Sequence, residues 1–495
     1  MMRVLPIIIH ALLFLVYPSS ALTPAEWRTQ SIYQIMTDRF ARSDGSTAAC
    51  NDLGNYCGGT YQGIINKLDY IQDMGFTAIW ISPIVKNIET TSWGTPYHGY
   101  HQTDLYDVNT RFGSSQDLVA LSDALHERGM YLMVDVVTNH MAQKADADVI
   151  DYTKFHPFND QTYYHSPCTT DSFGTNTTNL EQCWFATTGV ALADLRTEDS
   201  EVQDMFNTWI SQLVSNYTID GLRIDSARHV DPGSIASLQA AAGGMHVLAE
   251  VWDGNPTSLC GYQDWMTGMM NFPQYYRIHE AFSNTGGSMT GLRDGVNNMK
   301  SACKDVTVLG SFMENHDTER FANRTSDLAL IRNALTFTML QDGIPIIYQG
   351  QEQQFSGGDD PENREFLGES NYNQGSNLYL LTKKLNAVRS WAIEQDPAYI
   401  THNAEPVYTD DKTIIMRKGQ MIGVLTNRGE DSGDATMTLS QNNSDFEVDQ
   451  AVMDVIACKT LTTDSNGNLD LTITNGEPIV LYPLEALRES GICEQ

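Results

Sequence analysis

The first part of the chain alternates between short apolar runs and longer stretches with helical spacing. Residues 31–35, 76–81 and 131–137 are apolar runs of strand length, rich in Ile, Val and Tyr. Between them, residues 63–74 and 115–128 repeat apolar side chains every three or four positions, which predicts two helices. This alternation of strand and helix predicts parallel strands joined by crossover helices.

The same alternation continues after a polar interruption. A helix is predicted over 200–216, and further apolar runs predict strands at 221–225, 246–249, 269–272, 306–310 and 344–348, the run at 269–272 being the weakest. With the first three runs this makes eight strands, the number that closes a (β/α)8 TIM barrel. The fold class expected is therefore α/β.

Two parts of the chain do not follow this pattern. Residues 141–195 are polar and lack periodicity, which predicts a small inserted domain after the third strand. After about residue 400 the chain changes to short alternating runs, such as 413–417 and 469–473, which predict an antiparallel β domain. We therefore divide the chain into a barrel (22–140 and 196–400), an inserted domain (141–195) and a C-terminal β-sandwich (401–495).

The N-terminus has the pattern of a secretory signal peptide over residues 1–21. Arg3 precedes an apolar run at 4–17, and small residues end the run, so we place cleavage after Ala21. An uncleaved anchor is the alternative, but the run is too short to span a bilayer. The sequence therefore predicts a secreted, extracellular protein.

The cysteines and glycosylation sequons also fit a secreted protein. The chain has eight cysteines, an even number that indicates disulfides. The sequence does not fix their pairing, and neighbours along the chain are the natural hypothesis: Cys50 with Cys57, Cys168 with Cys183, Cys260 with Cys303, and Cys458 with Cys493. No Cys-x-x-Cys spacing supports a zinc site. Four sequons predict N-glycosylation at Asn176, Asn216, Asn323 and Asn442.

The charge balance narrows the classes of ligand. The formal net charge is −32, with 62 acidic and 30 basic residues. Nucleic acids and anionic membranes both require basic patches, so we expect neither as a partner. A neutral ligand fits this balance, and we expect the protein to act as a monomer.

Three carboxylates follow predicted barrel strands. Asp225 ends the fourth strand and shares a face with Arg223, a cation that favours its ionised form. Taken alone, an Arg-x-Asp pair is more often a structural ion pair. Glu250 ends the fifth strand, and Asp317 follows the seventh. Catalytic groups of such barrels lie at the carboxyl ends of strands, and paired carboxylates are what glycoside hydrolysis requires.

Histidines and a tyrosine accompany these acids in the same predicted loops. His140 follows the third strand, His316 precedes Asp317, and Tyr100 lies after the second strand. Neutral histidines can donate hydrogen bonds to sugar hydroxyls, and a tyrosine ring can stack on a sugar. A zinc cluster is the alternative, but no two histidines have the spacing of a zinc-binding helix.

Four ordered motifs together resemble a known family. Residues 135–140 (DVVTNH), 221–225 (GLRID), 250–253 (EVWD) and 312–317 (FMENHD) are similar to the four signature regions of the α-amylase family of glycoside hydrolases. The likeness covers about 22–493 and is greatest to secreted fungal α-amylases of the Taka-amylase type. It implies a barrel, an inserted calcium-binding domain and a C-terminal β-sandwich.

The resemblance also implies roles for individual residues. Asp225 would be the nucleophile, Glu250 the general acid/base and Asp317 the third carboxylate, with Arg223 orienting Asp225. Substrate-binding positions of the family fall on Tyr100, His140, Arg223, Arg228, His316, Asp360 and Arg364. A calcium ion would be bound by the side chains of Asn139 and Asp194 and the backbone carbonyls of Glu181 and His229. The family's disulfide pairing agrees with pairing between neighbours.

Three positions depart from the fungal pattern. His101 stands where these amylases have Trp, Arg228 where they have Lys, and Trp252 where they have Leu. The leading hypothesis is a secreted endo-acting α-amylase that cleaves α-1,4-glucans with retention, with an Asp225–Glu250 carboxyl separation of about 5–5.5 Å. A 4-α-glucanotransferase is the first alternative. The second is a non-catalytic glucan-binding protein, which the presence of all three acids disfavours.

Overall fold

The computed structural model describes residues 22–494, and the predicted signal peptide at 1–21 lies outside them. Eight parallel strands form the central sheet: β1 Ile32–Ile35, β2 Ala78–Ile81, β3 Tyr131–Val137, β4 Gly221–Asp225, β5 His246–Ala249, β6 Gly268–Met269, β7 Gly310–Ser311 and β8 Ile344–Tyr348. Their order is β6-β5-β4-β3-β2-β1-β8-β7. A parallel bridge between Met270 and Gly310 joins the two edges, which closes the barrel as predicted.

Helices surround this barrel. The longer ones are Ser115–His126, Ser200–Tyr217, Pro232–Ala241, Phe272–Phe282, Met289–Ala302, Leu328–Leu340 and Asn377–Gln395. The single helix predicted over 63–74 is instead two, Tyr61–Ile65 and Leu68–Asp73, because Lys67 leaves helical geometry with φ −122°. Among residues 22–494, no helix has both the length and the apolar character that a bilayer span requires.

Two predicted strands are shorter than expected. The run at 306–310 begins as a 3-10 turn, Val306–Val308, because the Asp305 carboxylate accepts a hydrogen bond from the Thr307 backbone N–H at 2.8 Å. The run at 269–272 ends early because Asn271 caps the helix that starts at Phe272. In both cases a polar side chain satisfies free backbone donors and so starts a helical turn.

Glycines in the sheet allow close packing inside and below the barrel. A Cβ atom at Gly221 would lie 2.5 Å from the Trp27 ring, which packs below β4. A Cβ at Gly310 would lie 2.7 Å from the Ile346 side chain and 2.9 Å from the Leu248 side chain. The barrel interior is therefore filled by side chains, and the open space lies at its carboxyl end.

The interruption after β3 contains its own strand pair. Strands His140–Gln143 and Ala191–Asp194 pair antiparallel, with His140 opposite Asp194. The helix Thr177–Gln182 and several short turns lie between them. A second antiparallel pair, Val85–Asn87 with Gln102–Val108, follows β2. The boundaries 141 and 195 of an inserted domain remain a prediction.

The C-terminal part is antiparallel β structure, as predicted. Six strands form one sheet in the order Glu405–Thr409, Thr413–Lys418, Met421–Thr426, Ile479–Pro483, Ala451–Asp454 and Lys459–Thr462. A second sheet pairs Ala435–Leu439 with Leu469–Ile473. Side chains from both sheets, among them Ile422, Leu439 and Leu471, form one separate apolar core. Two sheets that share a core form the predicted sandwich.

Candidate active site

The three predicted acids line one cavity at the carboxyl end of the barrel. Asp225 ends β4, Glu250 directly follows β5, and Asp317 lies in the loop after β7. All three border a cavity of about 440 Å³. Parallel strands bring their carboxyl ends to the same rim, which explains how acids far apart in sequence share a site.

Arg223 links two of these acids directly. Its fully buried guanidinium places Nη1 at 2.8 Å from Asp225 Oδ1 and Nη2 at 2.9 Å from Glu250 Oε2. Nη1 also lies 3.0 Å from both carboxylate oxygens of Asp135. The register of β3 and β4 sets Asp135 opposite Arg223, so both side chains enter the barrel together. One guanidinium therefore fixes the positions of three carboxylates.

Ser226 makes a second link between the same two acids. Its backbone N–H donates to Glu250 Oε2 at 2.8 Å, and its hydroxyl donates to Asp225 Oδ2 at 2.8 Å. To do so, Ser226 adopts left-handed backbone geometry with φ 49°. That conformation is unfavourable for a residue with a side chain, and its occurrence next to two acids marks a functional turn.

The environment of Glu250 suits a proton donor. Burial is the main cause that raises the pKa of Glu250; the charge of Arg223 opposes it, those of Asp225 and Asp317 add to it, and together they bring the pKa to about 8. The side chain is therefore protonated at neutral pH. A carboxylic acid that keeps its proton beside an arginine-paired carboxylate is the arrangement needed for acid-assisted glycoside cleavage.

Tyr100 and His140 line the cavity, and the buried His316 contacts Tyr100 and Asp317. The Tyr100 hydroxyl lies 2.8 Å from Asp135 Oδ2 and 2.7 Å from His316 Nε2, and the two rings stack with centroids 5.4 Å apart. His140 Nε2 lies 3.0 Å from the Tyr100 carbonyl oxygen. Burial lowers the pKa of both His140 and His316, so both rings are neutral, as the sequence predicted for hydrogen-bonding groups.

Arg364 holds the two remaining predicted acids. Its Nη2 lies 3.2 Å from Asp317 Oδ1, and its Nη1 lies 2.9 Å from Asp360 Oδ1. Arg364 Nε also donates to the His316 carbonyl oxygen at 2.9 Å. The structure therefore brings Asp317, Asp360 and Arg364 together on one side of the cavity. The substrate-binding role that the resemblance implies for Asp360 and Arg364 stays a prediction.

Arg228 and Trp252 border the cavity on the side of Glu250. The Arg228 guanidinium donates to three backbone carbonyls, those of Ser172 (3.1 Å), Gly174 (3.0 Å) and Trp252 (3.3 Å). His101, the third position that departs from the fungal pattern, lies on the wall formed by Tyr100. Burial lowers the pKa of His101 to about 4, so this ring is also neutral.

The predicted calcium ligands include two buried oxygens without partners. Asn139 and Asp194 are each 1% exposed, and the Oδ1 atom of each has no hydrogen-bond partner. His229 Nδ1 lies 3.0 Å from the Leu180 carbonyl oxygen, which brings His229 beside Glu181. Buried oxygens normally have partners, and amide, carboxylate and carbonyl oxygens are calcium ligands. The residues therefore fit a bound calcium ion.

Side chains alone do not form a metal site in the described part of the chain. Among residues 22–494, no three His, Cys, Asp or Glu side chains cluster so as to hold a metal ion. The predicted calcium set contains a single carboxylate, from Asp194, and its other donors are an amide and two backbone carbonyls. Most donors of the predicted set are therefore neutral oxygens and not charged side chains.

The structure contains the predicted disulfides and exposes the asparagines of the predicted glycosylation sites. The four disulfides are Cys50–Cys57, Cys168–Cys183, Cys260–Cys303 and Cys458–Cys493, which confirms pairing between neighbours. The four sequon asparagines, Asn176, Asn216, Asn323 and Asn442, are all exposed. Their accessibility is compatible with glycosylation, which stays a prediction.

Two family models together match most of the chain. Residues 34–377 match the family model described as the α-amylase catalytic domain, and residues 406–495 match α-amylase domain C. The chain belongs to the α-amylase family. It is therefore a glycoside hydrolase of the α-amylase type, as the four motifs indicated.

Relatives within the α-amylase family align over nearly the whole chain. "Alpha-amylase 2" of Schwanniomyces occidentalis is 46% identical, covering 95% of this chain and 93% of its own. "Alpha-amylase" of Saccharomycopsis fibuligera is 45% identical, covering 94% of each chain. The solved structure of an α-amylase from Malbranchea cinnamomea is 49% identical, covers 96% of this chain and 100% of its own, and superposes with a TM-score of 0.93. These matches confirm the resemblance to fungal α-amylases.

The structure adds three residues to the candidate site that the sequence motifs did not single out. Asp135 begins the motif at 135–140, yet its contact with Arg223 depends on the register of β3 against β4. Ser226 follows Asp225 directly, but its left-handed geometry has no signal in the residue type. Phe173 lines the cavity from the segment after β3, where no periodicity placed it.

Proposed function

We propose that the protein is a secreted, endo-acting α-amylase that hydrolyses internal α-1,4 bonds of starch-like glucans with retention of configuration. The observation that carries this proposal is the shared contact of Asp225 and Glu250 with Arg223. It holds the arginine-paired Asp225 and the protonated acid Glu250 side by side in one cavity.

The first chemical step uses both acids. Asp225 attacks the anomeric carbon, forming a covalent ester while the bond to the leaving-group oxygen breaks. Glu250 gives its proton to that oxygen, so the leaving chain departs as a neutral alcohol. Arg223 and the Ser226 hydroxyl hold the Asp225 carboxylate in place for the attack.

The second step reverses the roles. Glu250, now ionised, takes a proton from water, and the water oxygen attacks the anomeric carbon and releases Asp225. Asp317 and Arg364, with neutral His140 and His316, bind the hydroxyl groups of the sugar that becomes attached. Two displacements at one carbon restore the original α configuration.

Calcium binding is a separate part of the proposal. Asn139 and Asp194 would hold the ion by side-chain oxygens, and Glu181 and His229 by backbone carbonyls. Bound calcium supplies a positive charge that joins the segment after β3 to the barrel. The unpartnered Oδ1 atoms of Asn139 and Asp194 support this set.

Secretion is proposed from covalent features and the N-terminal pattern. Four disulfides form only in an oxidising compartment in most organisms, and all four sequon asparagines are exposed. N-terminal sequencing of protein recovered from a culture medium tests it: a start at Leu22 is expected, and retention inside the cell would contradict it.

Product analysis on maltoheptaose tests the reaction itself. We expect shorter maltooligosaccharides, one new reducing end per bond cleaved, and the α-anomer as the first product seen by NMR. A first-formed β-anomer would overturn retention. Chains longer than the substrate with few new reducing ends would show the glucanotransferase instead. No reaction at all would leave a glucan-binding protein.

A further inference from the structure

The side of the cavity next to Glu250 is lined by two aromatic rings. Phe173 is 74% exposed, and its ring meets that of Trp252 at 87° with centroids 6.2 Å apart. Because Glu250 protonates the departing oxygen, the leaving chain must lie on this side of the cleft. The two rings therefore flank the leaving chain.

The two rings are held in unequal ways. Trp252 stacks on Phe272 with centroids 4.9 Å apart, and its Nε1 donates to the Tyr276 hydroxyl at 2.8 Å. Phe173 stands on a loop, is mostly exposed, and has a ring contact with Trp252. An exposed aromatic side chain on a loop would sample many positions unless its backbone were fixed. Within its segment, the Gly174 N–H donates to the Asp171 carbonyl oxygen at 2.9 Å and shapes the turn. The group that fixes this turn to the rest of the site lies outside the segment.

Arg228 supplies that fixing group. Its guanidinium donates to the carbonyl oxygens of Ser172 and Gly174, the residues on either side of Phe173, at 3.1 and 3.0 Å. The same guanidinium donates to the Trp252 carbonyl oxygen at 3.3 Å and lies 3.4 Å from Asp253 Oδ2. The planar guanidinium of Arg228 thus joins, by hydrogen bonds, the loop that carries Phe173 to the loop that carries Trp252.

The Arg228 backbone also belongs to the catalytic turn. Its N–H donates to the Glu250 carbonyl oxygen at 3.3 Å, and Ser226, two residues earlier, donates to the Glu250 side chain. The positions of Phe173, Trp252 and the proton donor are therefore set by one three-residue turn. Both terminal nitrogens of the Arg228 guanidinium contact protein oxygens, which leaves them occupied rather than aimed at a sugar.

We propose that Arg228 is a positioning residue that holds Phe173 and Trp252 as a pair of rings around the leaving-group half of the cleft, and so sets how tightly the departing glucan chain is bound. This inference rests on the proposed function, and it replaces the expected direct contact of Arg228 with substrate. Lysine does not substitute, because a single ammonium group lacks the planar fork that reaches carbonyls on two loops.

Two substrates separate this role from a general structural one. In maltoheptaose the leaving group is a glucan chain that occupies the half of the cleft beside Phe173. In α-maltotriosyl fluoride the leaving group is fluoride, which leaves that half empty. In both cases kcat/KM reports only the steps up to formation of the glycosyl-enzyme.

The variants are Arg228→Lys, Phe173→Ala and the double variant, with Arg196→Lys as the matched control. Arg196 pairs with Asp199 at a surface position and does not border the cavity. We expect Arg228→Lys and Phe173→Ala each to lower kcat/KM on maltoheptaose about tenfold or more, and to change it less than about twofold on the fluoride. The double variant should lose no more than the worse single variant, because Arg228 acts through Phe173.

Three results would overturn the proposal: equal losses on both substrates, additive losses in the double variant, or an unchanged maltoheptaose rate in Arg228→Lys. If Arg228→Lys does not fold, Phe173→Ala, a change at an exposed position, still tests the ring pair. The quantity compared is again the loss of kcat/KM on maltoheptaose against that on α-maltotriosyl fluoride. A wild-type protein inactive on both substrates would instead refute the proposed function.

Discussion

Replacing Glu250 by glutamine separates the chemistry of this residue from its contribution to stability. Glutamine matches the shape of the protonated acid and can still accept the hydrogen bond from the Ser226 N–H. It cannot donate a proton to the departing oxygen. We expect kcat/KM on maltoheptaose to fall by about 10²–10⁴, which is the usual contribution of a general acid.

The same variant that loses activity should gain folding stability relative to the wild type as the pH rises. Burial raises the pKa of Glu250 from 4.5 to about 8, so protons favour the folded state. That contribution is fully present below pH 4.5 and is lost as the pH rises through about 8. At about 1.4 kcal/mol per pH unit, the upper limit of the loss is about 5 kcal/mol. Glutamine does not titrate. Between pH 4.5 and about 8, Glu250→Gln should therefore gain up to about 5 kcal/mol of unfolding free energy relative to the wild type.

Urea unfolding of both proteins at pH 5 and pH 8, combined with kcat/KM at pH 6, measures both effects. Glu127→Gln, an exposed replacement of the same kind, is the matched control for the change of residue type. A difference in stability that stays constant between pH 5 and pH 8 would refute the buried, protonated state. An activity loss below tenfold would refute the role as proton donor.

Three further predictions concern other parts of the structure. Asp135→Asn removes a carboxylate from buried Arg223 and should lower the free energy of unfolding by about 3 kcal/mol in urea titrations. The control is Asp107→Asn in the exposed pair with Lys86, which should cost less than about 1 kcal/mol. Equal costs would contradict the burial argument. Arg320→Met leaves Glu314 buried without its partner and should cost about 3–5 kcal/mol, against less than about 1 for Arg488→Met on the surface. A chelator should lower the melting temperature of the wild type by about 5 °C or more. Asn139→Ala should already have the lower melting temperature, and the chelator should not lower it further. A wild-type melting curve that the chelator leaves unchanged would count against bound calcium.

Much of the barrel could be predicted because its signals are local. Strands such as Tyr131–Val137 and helices such as Ser115–His126 follow from apolar spacing within a few residues. The exceptions were also local in cause: Asp305 and Asn271 each turned an apolar run into a helical turn by accepting backbone hydrogen bonds. Apolar periodicity alone does not report such caps.

The sequence by itself determined the order of the strands, the three acids after β4, β5 and β7, and the family to which they belong. Only the tertiary structure decided how these acids are held. Asp135 reaches Arg223 across 88 residues of chain, and Arg228 reaches Ser172 across 56. Contacts of that kind depend on strand register and on where loops pack, which no spacing along the chain encodes. The motifs therefore identify the chemistry, whereas the packing around Arg223 and Arg228 sets its geometry.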